Sequence, residues 1–231
     1  MQAGETIRVV LCGSVGAYAI VWIYFHRKAR RNTLLVIGTM SGSIPVIAAW
    51  AWAVPFYVIL SVTLLSPWSL RWATIDVPGW VRACGTVAVM PTPFFCWWVL
   101  NSLGDNFTEA FAAVFGQRLV TRGPYRYVRH PLYAVECVFL VSIACATASW
   151  FILGYACSGI LAIRFVVIPH EEGYMLERFG RTYGRYRKRT GMFLPKLRGA
   201  RKSASRRGMH YFRTTGSNDG TDKFVNAHPG F

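Results

Sequence analysis

From Leu132 to Ile168 the chain runs through about 37 residues with two formal charges, Glu136 and Arg164. At about 1.5 Å per residue, that length suffices for two short bilayer crossings joined by a tight turn. Comparable apolar runs are Ile7–Phe25, Leu34–Val54 (reaching toward Leu65) and Trp80–Leu100. With Leu132–Trp150 and Phe151–Ile168 they predict about five transmembrane helices. The whole chain agrees: 53% of its residues are hydrophobic and 16% are charged, against about 25% charged in soluble domains. The expected fold class is all-α, a polytopic membrane protein. The first run is read as a span and not as a secretory signal, because its basic cluster follows the apolar stretch instead of preceding it.

Charge then gives an expected orientation. "HRKARRN" at 26–32 follows the first span, the 101–130 connection carries Arg118, Arg122, Arg126 and Arg129, and Arg181–Arg207 is rich in basic residues and free of acidic ones. The 66–79 loop holds only Arg71 and Asp76. Short basic loops stay cytoplasmic, which puts the amino terminus outside and the carboxyl terminus inside. The net charge of +16 is accounted for by this topology and by attraction to anionic lipid heads. No nucleic-acid-binding motif accompanies it, so membrane lipids are the expected partners, and nothing implies an obligate protein partner. Trp50, Trp52, Trp68, Trp72 and Trp80 suit an aromatic belt at the outer boundary. The six cysteines show no C-x-x-C pair and no Cys/His cluster at metal-ligand spacing, so they read as small buried hydrophobes, with neither a disulfide nor a metal expected.

The chemistry-bearing residues collect at the ends of the Leu132–Ile168 run. A tight hairpin, turning at "TASW" (147–150) or Gly154, returns "RYVRHP" (126–131) to the side of "PHEE" (169–172). One reading of this meeting is an ion pair of Arg129 with Glu171 or Glu172 at the membrane edge. The other is a site: adjacent carboxylates, flat walls with polar tips from Tyr125, Tyr127 and Tyr133, and a 101–124 connection able to cover them as a lid. Beyond the hairpin, Glu171, Met175, Arg178 and Thr182 follow one helical face, and Gly180 and Gly184 interrupt an interfacial helix. A short extended piece ends at Pro195. The remainder is rich in Gly, Ser and Arg and lacks the apolar content for a core, so disorder is expected.

"LVTRGPYRYVRHPLY" followed by "EEGYMLERFGRTYGRYRKRTGMFLP" resembles the isoprenylcysteine carboxyl methyltransferase family and its phospholipid methyltransferase relatives. The shared pattern is R-H-P-x-Y-x-G, an apolar hairpin, E-E, F-G-x-x-Y-x-x-Y and a closing L-P. It covers roughly residues 80 to 197, and its combined spacing carries the specificity. The resemblance implies N-terminal transmembrane helices over 1–79, a methyltransferase core over 80–197 and a basic tail over 198–231. It also implies a cytosolic pocket for S-adenosylmethionine at the C-terminal hairpin and a lipophilic methyl acceptor that enters from the bilayer. Position by position, Gln117, Arg118, Leu119, Val120 and Tyr125 border the cofactor. His130, Pro131, Leu132 and Tyr133 line it, Glu171 binds it, and Arg129 or Arg126 meets its carboxylate.

Two positions depart from the pattern. Val135 replaces the glycine of R-H-P-x-Y-x-G. Val167 stands four residues before Glu171, where relatives often carry an arginine that orients an acceptor carboxylate. Arg164, seven residues before Glu171 and hence on its helical face, is the substitute candidate. An amine or thiol acceptor needs a proton acceptor instead, for which His130, His170 and Glu172 are candidates. Arg164 and Glu172 are thus the expected catalytic residues. The expected function is methyl transfer from S-adenosylmethionine to a lipid-like or prenylated acceptor, with an isoprenylcysteine carboxylate among the candidates. Two alternatives stand beside it: an NADPH-dependent relative of the sterol reductases, which Pro131 and Leu132 argue against, and a non-catalytic protein gripping anionic lipid through its basic tail.

Overall fold

A chain that meets lipid on most sides must satisfy its backbone within its own segments, and the described residues do this with helices. The computed structural model describes residues 2–32, 44–66, 68, 71–107 and 118–196, with side chains from 4 to 29 and from 51 onward within those ranges. Gln117, the side chain of Trp50, residues 108–117 of the 101–124 connection and the tail 198–231 lie outside the described residues.

The elements are α1 (Gln2–Asn32), α2 (Ile44–Leu65), α3 (Gly79–Val89), α4 (Thr92–Leu103), α5 (Pro131–Thr147), α6 (Trp150–Ala162) and α7 (Ile168–Arg189). Among the described residues no strand forms, and two isolated bridges pair Thr74 with Ser149 and Val128 with Gly191. Among the described residues three stretches are long and apolar enough to cross a membrane: Gly4–Ala29, Gly79–Asn106 and Trp150–Arg189, the apolar part of the last ending at Ile168. The described part of α2, Ala51–Leu65, and α5 are apolar but shorter. Val9, Ile20, Val87, Phe94, Leu161 and Phe165 are exposed on outer faces, as expected of helices that are apolar all round.

Lipid is as apolar as leucine, so close packing holds such helices together. On α1, Leu11, Tyr18 and Phe25 recur every seventh residue and are buried against Phe56 and Leu60 of α2, Cys96 and Leu100 of α4, and Phe139 and Leu140 of α5. Where α3 meets α5, a Cβ at Gly85 would lie 2.6 Å from the Ser142 carbonyl oxygen and 2.7 Å from the Ala146 nitrogen, so only glycine allows this approach. Trp52 is not part of an outer belt. It stacks on Phe56 at 5.2 Å, donates to Ser158 Oγ at 2.9 Å and covers Gly159, where a Cβ would come 2.4 Å from its ring. Trp68, Trp72 and Trp80 are exposed. The cysteines also divide: Cys96 is buried, Cys137 and Cys145 are half-buried, and Cys12, Cys84 and Cys157 face outward.

Proline and glycine set the breaks. The run expected over 80–100 bends between α3 and α4 at Pro91, which lacks an N–H for the helical ladder; Thr92 Oγ1 donates to the Val89 carbonyl at 2.6 Å. The hairpin turns at 147–150. There Ala148 takes a left-handed conformation (φ 51°) and Ser149 Oγ caps α6 by accepting from Ile152 N. At this end Ile75 N donates to Ala148 O at 2.9 Å, and Trp72 meets Trp150 edge-on. The other end of the bundle gathers the carboxyl ends of α1 and α4 with the starts of α5 and α7.

Between α6 and α7 the helix does not stop. It passes through a π-turn, Ile163–Val167, in which Ile168 N–H bonds the Ile163 carbonyl five residues back. Pro169 follows, and a wide turn here absorbs the bond that proline cannot make. The expected separate interfacial helix is therefore a continuation of the last span.

Candidate functional site

Arg129 and His130 are positioned by backbone pairing with the far end of α7. Arg129 N donates to Gly191 O at 2.8 Å and His130 N to Met192 O at 3.1 Å. Tyr186 Oη donates to the Tyr125 carbonyl at 2.7 Å, tying α7 to the 3-10 turn Gly123–Arg126. That turn begins at Gly123 with φ 59°, a conformation that favours glycine. Pro131 opens α5, where its missing N–H has no partner to lose. The two halves of the sequence motif are thus joined directly, as the hairpin geometry predicts.

The adjacent carboxylates serve different partners. Glu172 is buried at 6% exposure. Its Oε1 lies 3.0 Å from Arg129 Nε and 3.2 Å from His130 Nε2, and its Oε2 lies 3.2 Å from Arg187 Nε. Burial alone would raise its pKa, but the hydrogen bond from His130 and the guanidiniums of Arg129 and Arg187 hold it below the usual carboxylate range. The ion pair anticipated for Arg129 therefore forms with Glu172. The Arg129 guanidinium also donates through Nη1 to the carbonyls of Thr190 and Arg187, so its Nε and Nη1 are engaged in structure.

Glu171 lines a cavity instead. Its Oε2 lies 3.5 Å from His130 Nδ1, yet it is buried without a hydrogen-bond partner. His130 Nε2 makes its hydrogen bond with Glu172, and the ring stacks on Tyr133 at 5.7 Å. Burial, then the Glu171 charge, push the Tyr125 phenol well above its ordinary value of 10.

The cavity measures about 260 Å³, just under the roughly 300–1,000 Å³ usual for small-molecule sites. Arg118, Leu119, Val120, Tyr125, Arg129, His130, Pro131, Leu132, Tyr133 and Glu171 all border it. Arg126 is exposed and takes no part in the lining. Glu172 stands behind His130, outside the lining. Arg164 is also outside: it is exposed, with its guanidinium 5.2 Å over the Phe165 ring. The π-turn inserts an extra residue between Arg164 and Glu171, so the shared face expected from a spacing of seven does not form.

Sequence reasoning missed the wall supplied from afar. Trp22 and His26 of α1 stack at 4.9 Å, and both meet Phe107 edge-on; all three line the cavity with Leu103 and Asn106. Nothing local in α1 announces that neighbour. On α7 the lining runs through Tyr174, Met175 and Phe179, then past the break at Gly180 (φ 50°) to Tyr183 and Tyr186. Arg178 and Thr182, expected on the Glu171 face, are exposed. The F-G-x-x-Y-x-x-Y spacing held that signal.

Residues 80–182 match the model of the phospholipid methyltransferase family. The chain is similar to the nickel-cobalt-cadmium resistance protein NccN of Alcaligenes xylosoxydans xylosoxydans, with 29% identity over 156 residues, covering 65% of each chain. It is similar to methanethiol S-methyltransferase 2 of Bradyrhizobium diazoefficiens, with 26% identity over 165 residues, covering 65% of this chain and 62% of that one. The chain thus spans less than two thirds of the length of these relatives. Among solved structures it is similar to the eukaryotic intramembrane Ras methyltransferase ICMT (isoprenylcysteine carboxyl methyltransferase), at a TM-score of 0.47 and 20% identity over 85% of this chain and 72% of that one.

Proposed function

We propose, because residues 80–182 match the model of the phospholipid methyltransferase family, that this chain is an integral-membrane methyltransferase. It takes its methyl group from S-adenosylmethionine and delivers it to a lipid-like or prenylated acceptor. The observation that carries the cofactor reading is Glu171, a cavity-lining carboxylate with a buried oxygen that lacks a hydrogen-bond partner. A carboxylate accepts both hydroxyls of a ribose through charge-assisted hydrogen bonds. The rings of Tyr125, Tyr133, Tyr174 and Tyr183 suit a flat base and a sulfonium cation. Arg118, whose backbone N–H is fixed by Asn106 Oδ1 at 2.9 Å, replaces Arg129 and Arg126 as the cation for the amino-acid carboxylate. Leu119 and Val120 border the cofactor, and His130, Pro131 and Leu132 close the wall.

When bound, the cofactor supplies an electrophilic methyl group whose in-line displacement disperses charge, so positioning and dehydration accelerate it. The chain contributes a site dried by aromatic rings and a His130 held in place. Both oxygens of Glu172 are taken by cations, so Glu172 is a positioning residue and not the proton acceptor. Arg164, exposed on the outer face of the last span, meets a carboxylate acceptor only there. The basic segments around 26–32, 118–129 and 181–196 adjoin the cavity end, which supports a cytoplasmic site with the amino terminus outside.

The test is transfer of labelled methyl from S-adenosylmethionine into a panel of lipids, prenylcysteines, amines and thiols. Incorporation into at least one lipophilic acceptor is expected. Silence across the panel together with no cofactor binding overturns the reading.

A further inference from the structure

One turn deeper than the cavity lies a polar pair that the reaction described above does not use. Glu136 stands three residues beyond Tyr133 and four beyond Leu132 on α5, and both of these line the cavity. Tyr18 stands four residues before Trp22 on α1, and Trp22 lines the cavity as well. The two deeper residues meet: Tyr18 Oη donates to Glu136 Oε2 at 3.0 Å across 118 positions of sequence. Tyr18 is fully buried and stacked on Phe139 at 4.3 Å, so this hydroxyl is fixed.

The titratable neighbours of Glu136 come from four helices. They are Tyr18 of α1, Tyr57 of α2, Cys96 of α4, and Tyr133 and Cys137 of α5. None is a cation, and among the described residues Glu136 forms no ion pair. A carboxylate held among apolar helices without a cation is costly, and such a residue marks a substrate or proton path more often than a packing contact. The indole N–H of Trp22, in the cavity wall, is buried and faces the Tyr18 hydroxyl. A cation-free carboxylate thus stands one turn below the cavity lining, behind Leu132, Tyr133 and Trp22.

Charge narrows what fits there. A carboxylate acceptor would bring a second negative charge beside Glu136, and the cations that might receive it are elsewhere: position 167 is Val167 and Arg164 is on the outer face. An acceptor bearing N–H or S–H brings what a lone carboxylate lacks. We propose that Glu136 binds the protic heteroatom of the methyl acceptor, a nitrogen or sulfur, and takes its proton. The bond from heteroatom to hydrogen breaks, its electron pair stays on the heteroatom as the nucleophile, and the proton goes to the Glu136 oxygen that Tyr18 does not hold. Tyr18 is a positioning residue for that carboxylate. This inference rests on the methyltransferase reading and adds the acceptor class and the residue that selects it.

The test uses the full chain in lipid nanodiscs, with a long-chain alkyl amine and a long-chain alkyl thiol as separate acceptors and S-adenosylhomocysteine titrated in parallel. One acceptor arm is expected to be active. Glu136→Gln is expected to lower its kcat by about 100-fold or more while S-adenosylhomocysteine affinity stays within about twofold of the unmutated protein. Glu136→Asp restores part of the rate. Tyr18→Phe, which removes the bond that fixes the carboxylate, lowers kcat with KM and S-adenosylhomocysteine affinity little changed. Without cofactor, the active acceptor stabilises the unmutated protein thermally, and Glu136→Gln abolishes that stabilisation. The inference is overturned, with the methyltransferase reading intact, if Glu136→Gln keeps full activity, if only carboxylates are methylated, or if neither arm is methylated by protein that binds S-adenosylhomocysteine. Loss of S-adenosylhomocysteine binding in Glu136→Gln makes the residue structural and also overturns it. Failure of the unmutated protein to bind S-adenosylhomocysteine overturns the underlying reading as well.

Discussion

Glu171 and Glu172 are adjacent in sequence, and the difference in their surroundings makes separable predictions. Glu172 is enclosed by Arg129, His130 and Arg187. Its replacement by glutamine leaves the buried Arg129 guanidinium uncompensated and is expected to cost about 3–5 kcal/mol of stability, measured by thermal unfolding in detergent. The pH dependence has a definite sign. The folded pKa of Glu172 lies below its unfolded value, so the stabilisation is complete above the unfolded value, about 4.3, and is lost as pH falls through the depressed one. Unmutated protein should therefore lose stability below about pH 4 more steeply than Glu172→Gln. The resemblance put His130 in one wall and Glu171 in the other. That Glu172 turns away from the cavity was not legible, because it depends on Arg187 and Thr190 folding back past the Gly180 break to take up Arg129.

Breaks and close approaches decide the behaviour of the elements. Gly180 has φ 50° and ψ −126°, and a Cβ there meets nothing within 4 Å. Gly180→Ala therefore strains the backbone without any clash and is expected to cost about 1–3 kcal/mol. The same substitution should displace Tyr183 and Tyr186 and weaken S-adenosylhomocysteine binding. Gly85→Val drives a side chain into the backbone of α5 and is expected to abolish stable folding, as judged by monodispersity after solubilisation. The turn at 147–150 was legible because two crossings of that length leave little room elsewhere. The π-turn before Pro169 was not: a proline signals a lost hydrogen bond but not whether the helix ends or widens. That one extra residue rotates Arg164 away from Glu171, so the face argument from spacing failed there.

In the whole molecule, five apolar segments and the basic loops were plain in the sequence, while the neighbours of α1 were not. Trp22, His26 and Tyr18 gain their roles from contacts across 80 or more positions, to Phe107 and Glu136, which no local periodicity encodes. Reporter fusions check the topology: activity of a cytoplasm-dependent reporter is expected at the carboxyl terminus and its absence at the amino terminus. The central claim is that the cavity between the two motif halves binds S-adenosylmethionine through Glu171. Calorimetric titration of S-adenosylhomocysteine into purified protein tests it most directly. The account predicts saturable binding that Glu171→Ala weakens by at least about tenfold, roughly one lost charge-assisted hydrogen bond, with the fold retained. Binding unchanged in both Glu171→Ala and His130→Ala would contradict it.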